Sequence, residues 1–165
     1  MNAATRPSNP SIEIELASQR LWLRDADQCV CYRVSTARNG PGERIDSECT
    51  PRGRHAVAEK IGAGAAPGTV FVGRRPTGEV YSEALCREAP DRDWILTRIL
   101  WLEGLEPGVN QGGGVDTRMR YIYIHGAPDS AQMGVPGSRG CIRMCSADIV
   151  ELFERVPVGT GVLIR

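Results

Sequence analysis

The chain has 165 residues, 20 basic and 20 acidic side chains and a pI near 6.7. This length suits one domain that buries its own core without disulfide bonds. The balanced charge provides no basic surface for nucleic acid or for an anionic membrane, so we expect neither partner.

Residues 1–10 are polar and predict a tail ahead of a single domain that spans residues 11–165. The tail lacks the apolar segment of a signal peptide. The 6 cysteines are expected as reduced thiols, because a domain of this size needs no disulfides. We therefore expect a cytoplasmic protein, and a periplasmic one only if an export signal ahead of Met1 has been removed.

The first part of the sequence predicts short strands. Ile12, Ile14 and Leu16 alternate with glutamates, which is the period of a half-buried strand, and residues 21–23 return as its hairpin partner. The same alternation over residues 30–34 predicts a third strand.

The middle of the chain alternates between loops and strand candidates. Residues 37–54 and 104–120 are rich in glycine and charged residues and predict long loops. Residues 55–61 and 70–73 are short strand candidates. Residues 91–103 contain two apolar runs whose periodicity does not separate strand from helix.

The last part of the chain predicts a strand, a helix and a closing strand. Residues 121–124 form an apolar run that ends just before His125. A helix is expected to begin with Ser146 as its N-cap, to carry an apolar stripe and to stop at Pro157. Residues 161–164 fit the closing strand.

The residues that carry chemistry lie around this last strand. Cys141 follows His125 by 16 positions and ends the tight turn Ser138-Arg139-Gly140-Cys141. An ordinary thiol is only a few per cent thiolate at neutral pH, and a histidine supplies the base that it needs. The pattern favours Cys141 as nucleophile and His125 as general base and acid. The alternative is that both are structural, Cys141 as a buried cysteine and His125 as a hydrogen-bonded core histidine.

These residues resemble the signature of a known family. His125-Gly126 and Ser138-x-Gly140-Cys141-Ile142-Arg143-Met144 are similar to the motif of the L,D-transpeptidase catalytic domain, the YkuD-like family. The resemblance covers nearly the whole chain from Ser11 on. Arg139 stands where many members have a second histidine, which puts in doubt any role that needs an imidazole there.

The resemblance implies a fold: mostly β (α+β), an L,D-transpeptidase-like β-sandwich with one or two short helices. It also favours strands over residues 91–103. For function it implies attack by the Cys141 thiolate on a peptidoglycan stem tetrapeptide or muropeptide, between meso-diaminopimelate and the terminal D-alanine. The product is a thioester that water or an amine resolves.

Three functions remain open at this point. Because we expect a cytoplasmic protein, we favour water as acceptor, and so an L,D-carboxypeptidase that trims tetrapeptide to tripeptide in peptidoglycan recycling. The first alternative is an envelope L,D-transpeptidase that forms 3-3 cross-links or exchanges D-amino acids. The second is a non-catalytic module that binds wall fragments. The resemblance also implies acylation by carbapenem-type β-lactams.

Further site residues follow from the motif and its surroundings. The backbone N–H groups of Arg139, Gly140 and Cys141 are candidates for the oxyanion hole, and Ser138 is a candidate for a hydrogen bond within the turn or for orienting the base. Arg143 is expected to bind a substrate carboxylate, or else to pair with an acid of the following helix.

Gly126 is expected to let the chain turn away after the base. His55, the other histidine, is a weaker candidate for the substrate site.

No metal or other cofactor is expected. His125, Cys141 and Cys145 are potential zinc ligands, but the chain has no Cys-x-x-Cys pair and no His-x-x-x-His. Cys29 and Cys31 place two thiols on one face of a predicted strand. The sequence assigns no role to Cys29, Cys31, Cys49, Cys86 or Cys145.

Overall fold

A computed structural model describes residues 9–165, so most of the predicted tail lies outside the described residues. The strands, in chain order, are β1 (Ser11–Glu15), β2 (Arg20–Asp25), β3 (Gln28–Arg33), β4 (Gly53–Ile61), β5 (Thr69–Val72), β6 (Arg75–Val80), β7 (Ile95–Gly104), β8 (Tyr123–Ala127), β9 (Ile142–Cys145) and β10 (Gly161–Ile164). The helices are α1 (Glu83–Glu88) and α2 (Ser146–Arg155), and a 3-10 turn covers Gly113–Val115. This confirms the mostly β fold with two short helices. No helix in the described part of the chain is long and apolar enough to cross a bilayer.

All strands belong to one hydrogen-bonded sheet that branches at β7. The main path runs β3-β2-β1-β10-β4-β7-β5-β6, while β8 pairs with the other edge of β7 and β9 follows β8. The β1–β10 and β8–β9 pairs are parallel, and the other pairs are antiparallel.

The sheet closes on itself just beyond β3. Ser35 forms an antiparallel bridge with Arg143 of β9, in which each backbone N–H donates to the other residue's carbonyl at 2.9 Å. The bridge joins the β3 end of the sheet to its β9 end. Eight strands therefore surround one main core.

Alternating side chains of the first hairpin fill that core, as the sequence predicts. Ile12 and Leu21 are buried and pack in one cluster with Ile124 of β8 and Ile142 of β9. The apolar stripe of α2 closes the cluster from one side through Ile149, Leu152 and Phe153. Burial of such side chains stabilises a fold by about 1.5–3 kcal/mol each, before conformational entropy is counted.

The start of α2 differs from the prediction. The helix begins at Ser146, but its N-cap residue is Cys145, which makes no side-chain capping bond. The extended backbone of β9 runs directly into the helix at Cys145, and the Ser146 hydroxyl hydrogen bonds instead with Thr97 Oγ1 at 2.7 Å.

The ambiguous residues 91–103 form a strand, as the resemblance favours. Both apolar runs belong to β7, and the polar pair Thr97-Arg98 between them is a bulge, since the register with β8 shifts between Leu96 and Ile99. Thr97 is fully buried with a φ of 74°, which is rare for a β-branched residue. The bulge interrupts the alternation that would otherwise have marked the strand.

The strand that carries His125 is displaced from its prediction. It covers Tyr123–Ala127, so His125 lies inside it, and the predicted turn at Gly126 was wrong. Gly126 pairs with Leu96 of β7 and Met144 of β9. A Cβ there would lie 2.5 Å from the Leu96 carbonyl oxygen, so glycine is needed for close packing.

Three elements were not predicted, namely β6, α1 and β9. Most residues of β6 are exposed, and they include a proline and a glycine, so the strand shows no apolar alternation. The helix α1 buries no side chain completely, and β9 has 4 residues. These elements are short or lack a buried face, which removes the periodic signal.

We expect Gly126→Ala to lower the free energy of unfolding by about 1–3 kcal/mol, because the added methyl group overpacks a site closed by backbone atoms. Urea denaturation measures the change. The matched control is Gly161→Ala in β10, where an added Cβ has nothing within 4 Å. Equal stabilities for the two variants would contradict this account of Gly126.

Candidate active site

Cys141 ends a tight turn directly before β9. Ser138 Oγ donates to the Cys141 carbonyl oxygen at 2.5 Å and accepts from the Gly140 N–H at 3.2 Å. Gly140 has a φ of 133°, and a Cβ there would lie 3.1 Å from Ile122 and 3.2 Å from the Cys49 carbonyl oxygen. The turn therefore requires glycine before Cys141, and the Ser138 hydroxyl forms its hydrogen bonds within the turn.

The loop over residues 37–52, shorter than predicted because β4 already begins at Gly53, supports this turn from behind. The buried Thr50 hydroxyl accepts from the Ala37 N–H at 3.0 Å and donates to the Gly140 carbonyl at 2.9 Å. Arg120 donates to the Cys49 carbonyl at 2.7 Å. The loop thus fixes the backbone beside the thiol, although it contains no helix or strand.

The Cys141 thiol is held by backbone groups. Its sulfur lies 3.3 Å from the Tyr123 nitrogen, which donates to it, and 3.4 Å from the Tyr121 carbonyl oxygen, which accepts from it. Burial raises the pKa of the thiol to about 12, although the Tyr123 N–H and the charge of Arg120 act in the opposite direction. The resting nucleophile is therefore a neutral thiol.

The His125 ring is fixed in one tautomer. Its Nδ1 lies 2.7 Å from the Gly126 carbonyl oxygen, which only accepts, so Nδ1 carries the proton and Nε2 keeps a free lone pair. The ring is 1% exposed, and this burial lowers its pKa below the usual 6.5, against the hydrogen bond to Gly126 and the charge of Asp93. His125 is therefore neutral at pH 7 and able to accept a proton.

Cys141 and His125 line the same open cavity of about 520 Å³. The lining includes further polar side chains from four parts of the chain, namely Arg74, Asp93, Arg120, Tyr123 and Arg139. The cavity thus combines a thiol, a neutral base and several guanidinium groups, an arrangement suited to nucleophilic attack on an anionic acyl donor.

A second cavity of about 480 Å³ lies on the other side of Ser138 and Arg139, and Asp93 lines both cavities. Its wall is strongly polar and carries charged side chains of both signs, among them Arg38, Arg92, Arg143, Glu48 and Asp91. The site therefore has two neighbouring compartments that share the turn of the nucleophile.

The structure brings most of the predicted site residues together. Ser138 and Arg139 lie in the cavity wall with the thiol and the imidazole. Arg143 lies in the wall of the second cavity, donates to Ser35 Oγ at 2.9 Å and makes no ion pair with an acid of α2 in the described part of the chain.

Two predicted residues outside the turn of Cys141 line neither cavity. Gly126 is buried within β8. His55 is 1% exposed and satisfied on both sides, with Nδ1 3.0 Å from the Gly53 carbonyl and Nε2 3.0 Å from the Thr117 hydroxyl. The structure therefore does not place His55 against the ligand space beside Cys141.

The backbone donors at the turn are not equivalent. The Gly140 N–H, a predicted oxyanion donor, already donates to Ser138 Oγ. The N–H groups of Arg139 and Cys141 have no partner within residues 9–165. These two donors are thus the ones left free for a substrate oxygen.

The cysteines other than Cys141 form no cluster with obvious chemistry. All six thiols are free, and Cys29 and Cys31 are exposed on β3. Within the described residues, no three His, Cys, Asp or Glu side chains are placed to hold a metal ion.

Sequence reasoning missed Arg120, in the turn shortly before β8, and four further residues of the site, namely Thr50, Arg74, Asp93 and Tyr123. Strand alternation would have indicated Tyr123, which lies two residues before His125 and so shares its face of β8. The others reach the site from loops and turns that are distant in sequence, and no local pattern marks them.

Residues 9–164 match the family described as YkuD, the L,D-transpeptidase catalytic domain. YqjB, a proposed L,D-transpeptidase of Bacillus subtilis (strain 168), is 49% identical over 52 residues, which cover 31% of this chain and 28% of YqjB. YkuD of the same strain, also a proposed L,D-transpeptidase, is 44% identical over 46 residues and 28% of each chain. The matched part is less than a third of either relative.

Solved structures with the same fold include L,D-transpeptidase 3 from Mycobacterium tuberculosis, with a TM-score of 0.58 and 15% identity over 94% of this chain and 61% of that chain. A cysteine-to-serine mutant of the Enterococcus faecium L,D-transpeptidase has a TM-score of 0.57 and 18% identity, over 96% and 50%. LdtMt1, solved in complex with imipenem, has a TM-score of 0.56 and 15% identity, over 94% and 58%. The chain spans about half to three fifths of the length of these proteins.

In the free protein, alkylation of Cys141 should accelerate about tenfold per pH unit from pH 7 to 10 without reaching a plateau, because burial raises the pKa of this thiol to about 12. Iodoacetamide labelling resolved by peptide mass spectrometry measures the rate. Labelling of the exposed Cys29 and Cys31 in the same samples is the control that active reagent is present at each pH. A plateau below pH 9 would show that the resting thiol ionises readily, contrary to its buried setting.

Proposed function

This chain belongs to the L,D-transpeptidase catalytic-domain family, and from that premise we propose that it catalyses cysteine-dependent acyl transfer on peptidoglycan stem peptides. The bond is the one between meso-diaminopimelate and the terminal D-alanine of a tetrapeptide or muropeptide. One observation carries the proposal: a thiol and a histidine with a free Nε2 line the same cavity.

Acylation follows from the resting protonation states. The Cys141 sulfur attacks the carbonyl carbon of the diaminopimelate residue while His125 Nε2 accepts the thiol proton. The C–N bond then breaks, and His125 returns that proton to the leaving amine of D-alanine. Proton transfer coupled to attack is required here, because burial disfavours a preformed thiolate and imidazolium.

The negative charge on the substrate oxygen needs donors during this step. The free N–H groups of Arg139 and Cys141 are the best placed, since the Gly140 N–H is engaged within the turn. The bonds from Thr50 and Ser138 hold this backbone in position before substrate arrives. Such preorganisation is what makes an oxyanion site effective.

Water is the acceptor that we propose for the thioester. His125 would take a proton from water while the water oxygen bonds to the acyl carbon. The C–S bond would then break, and His125 would return the proton to the sulfur, which gives the tripeptide and the free thiol. The protein would then be an L,D-carboxypeptidase, and its expected cytoplasmic location would fit the recycling of wall fragments.

A second candidate is transpeptidation, in which an amine replaces water and forms a 3-3 cross-link or an exchanged D-amino acid. The second cavity favours it, because this polar compartment adjoins the turn of the nucleophile from another side and offers charged groups of both signs to an incoming zwitterion. An envelope location would accompany this function.

The deciding experiment incubates the protein with a diaminopimelate-containing tetrapeptide, with and without excess D-amino acid, and follows products by mass spectrometry. We expect equal amounts of tripeptide in both reactions, because water resolves the thioester. Cys141→Ala should abolish product. The matched control is Cys145→Ala, a neighbouring thiol that does not line the cavity and should leave turnover within about twofold.

Exchange or cross-linked product in excess over tripeptide would make transpeptidation the function. Binding of the peptide without any turnover would reject acyl transfer and support a module that binds wall fragments.

We further expect imipenem to acylate Cys141. The mass of the protein should then increase by that of one imipenem, and the Cys141→Ala variant should show no increase. Since burial lowers the pKa of His125 below the usual 6.5, the acylation rate should reach half of its maximum only at a pH below 6.5, as His125 becomes protonated. Stopped reactions analysed by intact-protein mass spectrometry measure the rate. A rate that halves near pH 7 or above would contradict this assignment.

A further inference from the structure

Arg74 occupies an unusual backbone position at the edge of the thiol cavity. It lies at the tip of the β5–β6 hairpin, whose two connecting residues, Gly73 and Arg74, have φ values of 56° and 65°. Two positive φ values are the mark of a type I′ turn, in which asparagine and glycine are favoured. An arginine there is strained, and backbone strain of this kind concentrates at functional sites.

Aromatic groups hold the Arg74 side chain in one orientation. Its Nη1 donates to the Tyr123 hydroxyl at 3.0 Å, and its Cζ lies 4.7 Å from the Trp101 ring centroid and 4.9 Å from that of Tyr121. Cation–π contacts on two rings and a hydrogen bond to a third restrict the guanidinium before any ligand binds.

The guanidinium is nevertheless free to bind an anion. Among the described residues, no acidic side chain forms an ion pair with Arg74, and the neighbouring Glu59 is already hydrogen bonded to Arg118. An arginine has five N–H donors in a rigid fork, and only one is used here.

This fork lies beside the nucleophile. Arg74 and Cys141 line the same cavity. Tyr123 contacts both of them: its hydroxyl accepts a hydrogen bond from Arg74, and its backbone N–H donates one to the Cys141 sulfur. A ligand bound to the thiol therefore comes within the reach of an oriented and unpaired cation.

We propose that Arg74 is a specificity-determining residue that binds a carboxylate of the acyl donor. The inference rests on the proposed function for the identity of the donor. A stem tetrapeptide carries two carboxylates next to the scissile bond, one on the terminal D-alanine and one on the side chain of diaminopimelate, and either matches a guanidinium fork in a bidentate pair.

The test uses binding rather than turnover, so that it remains valid if acyl transfer fails. In a Cys141→Ala background, calorimetry measures the affinity for the tetrapeptide and for two analogues, each amidated at one of the two carboxylates. Arg74→Asn removes the guanidinium and places in the turn a residue that tolerates positive φ. Arg75→Asn, at the adjacent exposed position on β6, is the matched control.

We expect Arg74→Asn to weaken binding of the tetrapeptide roughly 10- to 100-fold, the range for a lost charged hydrogen-bond pair, and Arg75→Asn to leave it unchanged. The effect of Arg74→Asn should nearly vanish for one amidated analogue, and that analogue identifies the carboxylate. Arg74→Lys, which keeps the charge but lacks the fork, should bind with intermediate affinity.

The proposal would be overturned if Arg74→Asn weakened the binding of all three peptides equally, or if it did not weaken the binding of the tetrapeptide. It would also be overturned if the Cys141→Ala protein did not bind the tetrapeptide. Should Arg74→Asn not fold, Arg74→Lys decides by the same comparison of peptides. Selective binding that depends on Arg74, together with no turnover by the unmodified protein, would reject acyl transfer and leave the carboxylate site standing.

Discussion

The bridge between Ser35 and Arg143 is the constraint on which the site depends. Its two backbone hydrogen bonds of 2.9 Å join the ends of the sheet, and Arg143 lies two residues after the nucleophile. Since β9 has only 4 residues, β8 on one side and Ser35 on the other fix its position. The turn that carries Cys141 is thus fixed by the paired strands that follow it, and the loop over residues 37–52 supports it from a third side.

The same closure explains the electrostatic character of the reacting pair. His125 is buried inside β8 and Cys141 is partly buried just before β9, so burial raises the pKa of the thiol and lowers the pKa of the imidazole. Both shifts favour the neutral forms, so neither side chain is charged before a ligand binds. The charged groups of the cavity include Arg74 and Arg139, whose charges are screened by solvent or paired with an anionic ligand.

Sequence alone predicted the parts of this protein that depend on local pattern. Alternation located β1 and β2, since one face of each is buried, and the spacing of His125 and Cys141 indicated the chemistry. The bulge at Thr97 hid the continuity of β7, because it breaks the period of two. Thr50 and Arg74 were missed for a different reason: their roles arise from contacts with residues about 50 to 90 positions away, and such contacts leave no local periodicity.

The resting state of Cys141 also bears on how long the protein survives an oxidising environment. Peroxides attack thiolates far faster than thiols and convert them to sulfenic and then to irreversible sulfinic acids. A nucleophile kept protonated by burial, with a hydrogen bond from its thiol to the Tyr121 carbonyl, is a poor target for that reaction. Cys29 and Cys31 are exposed and lack this burial. The burial that keeps Cys141 protonated in the free protein therefore also slows its oxidation.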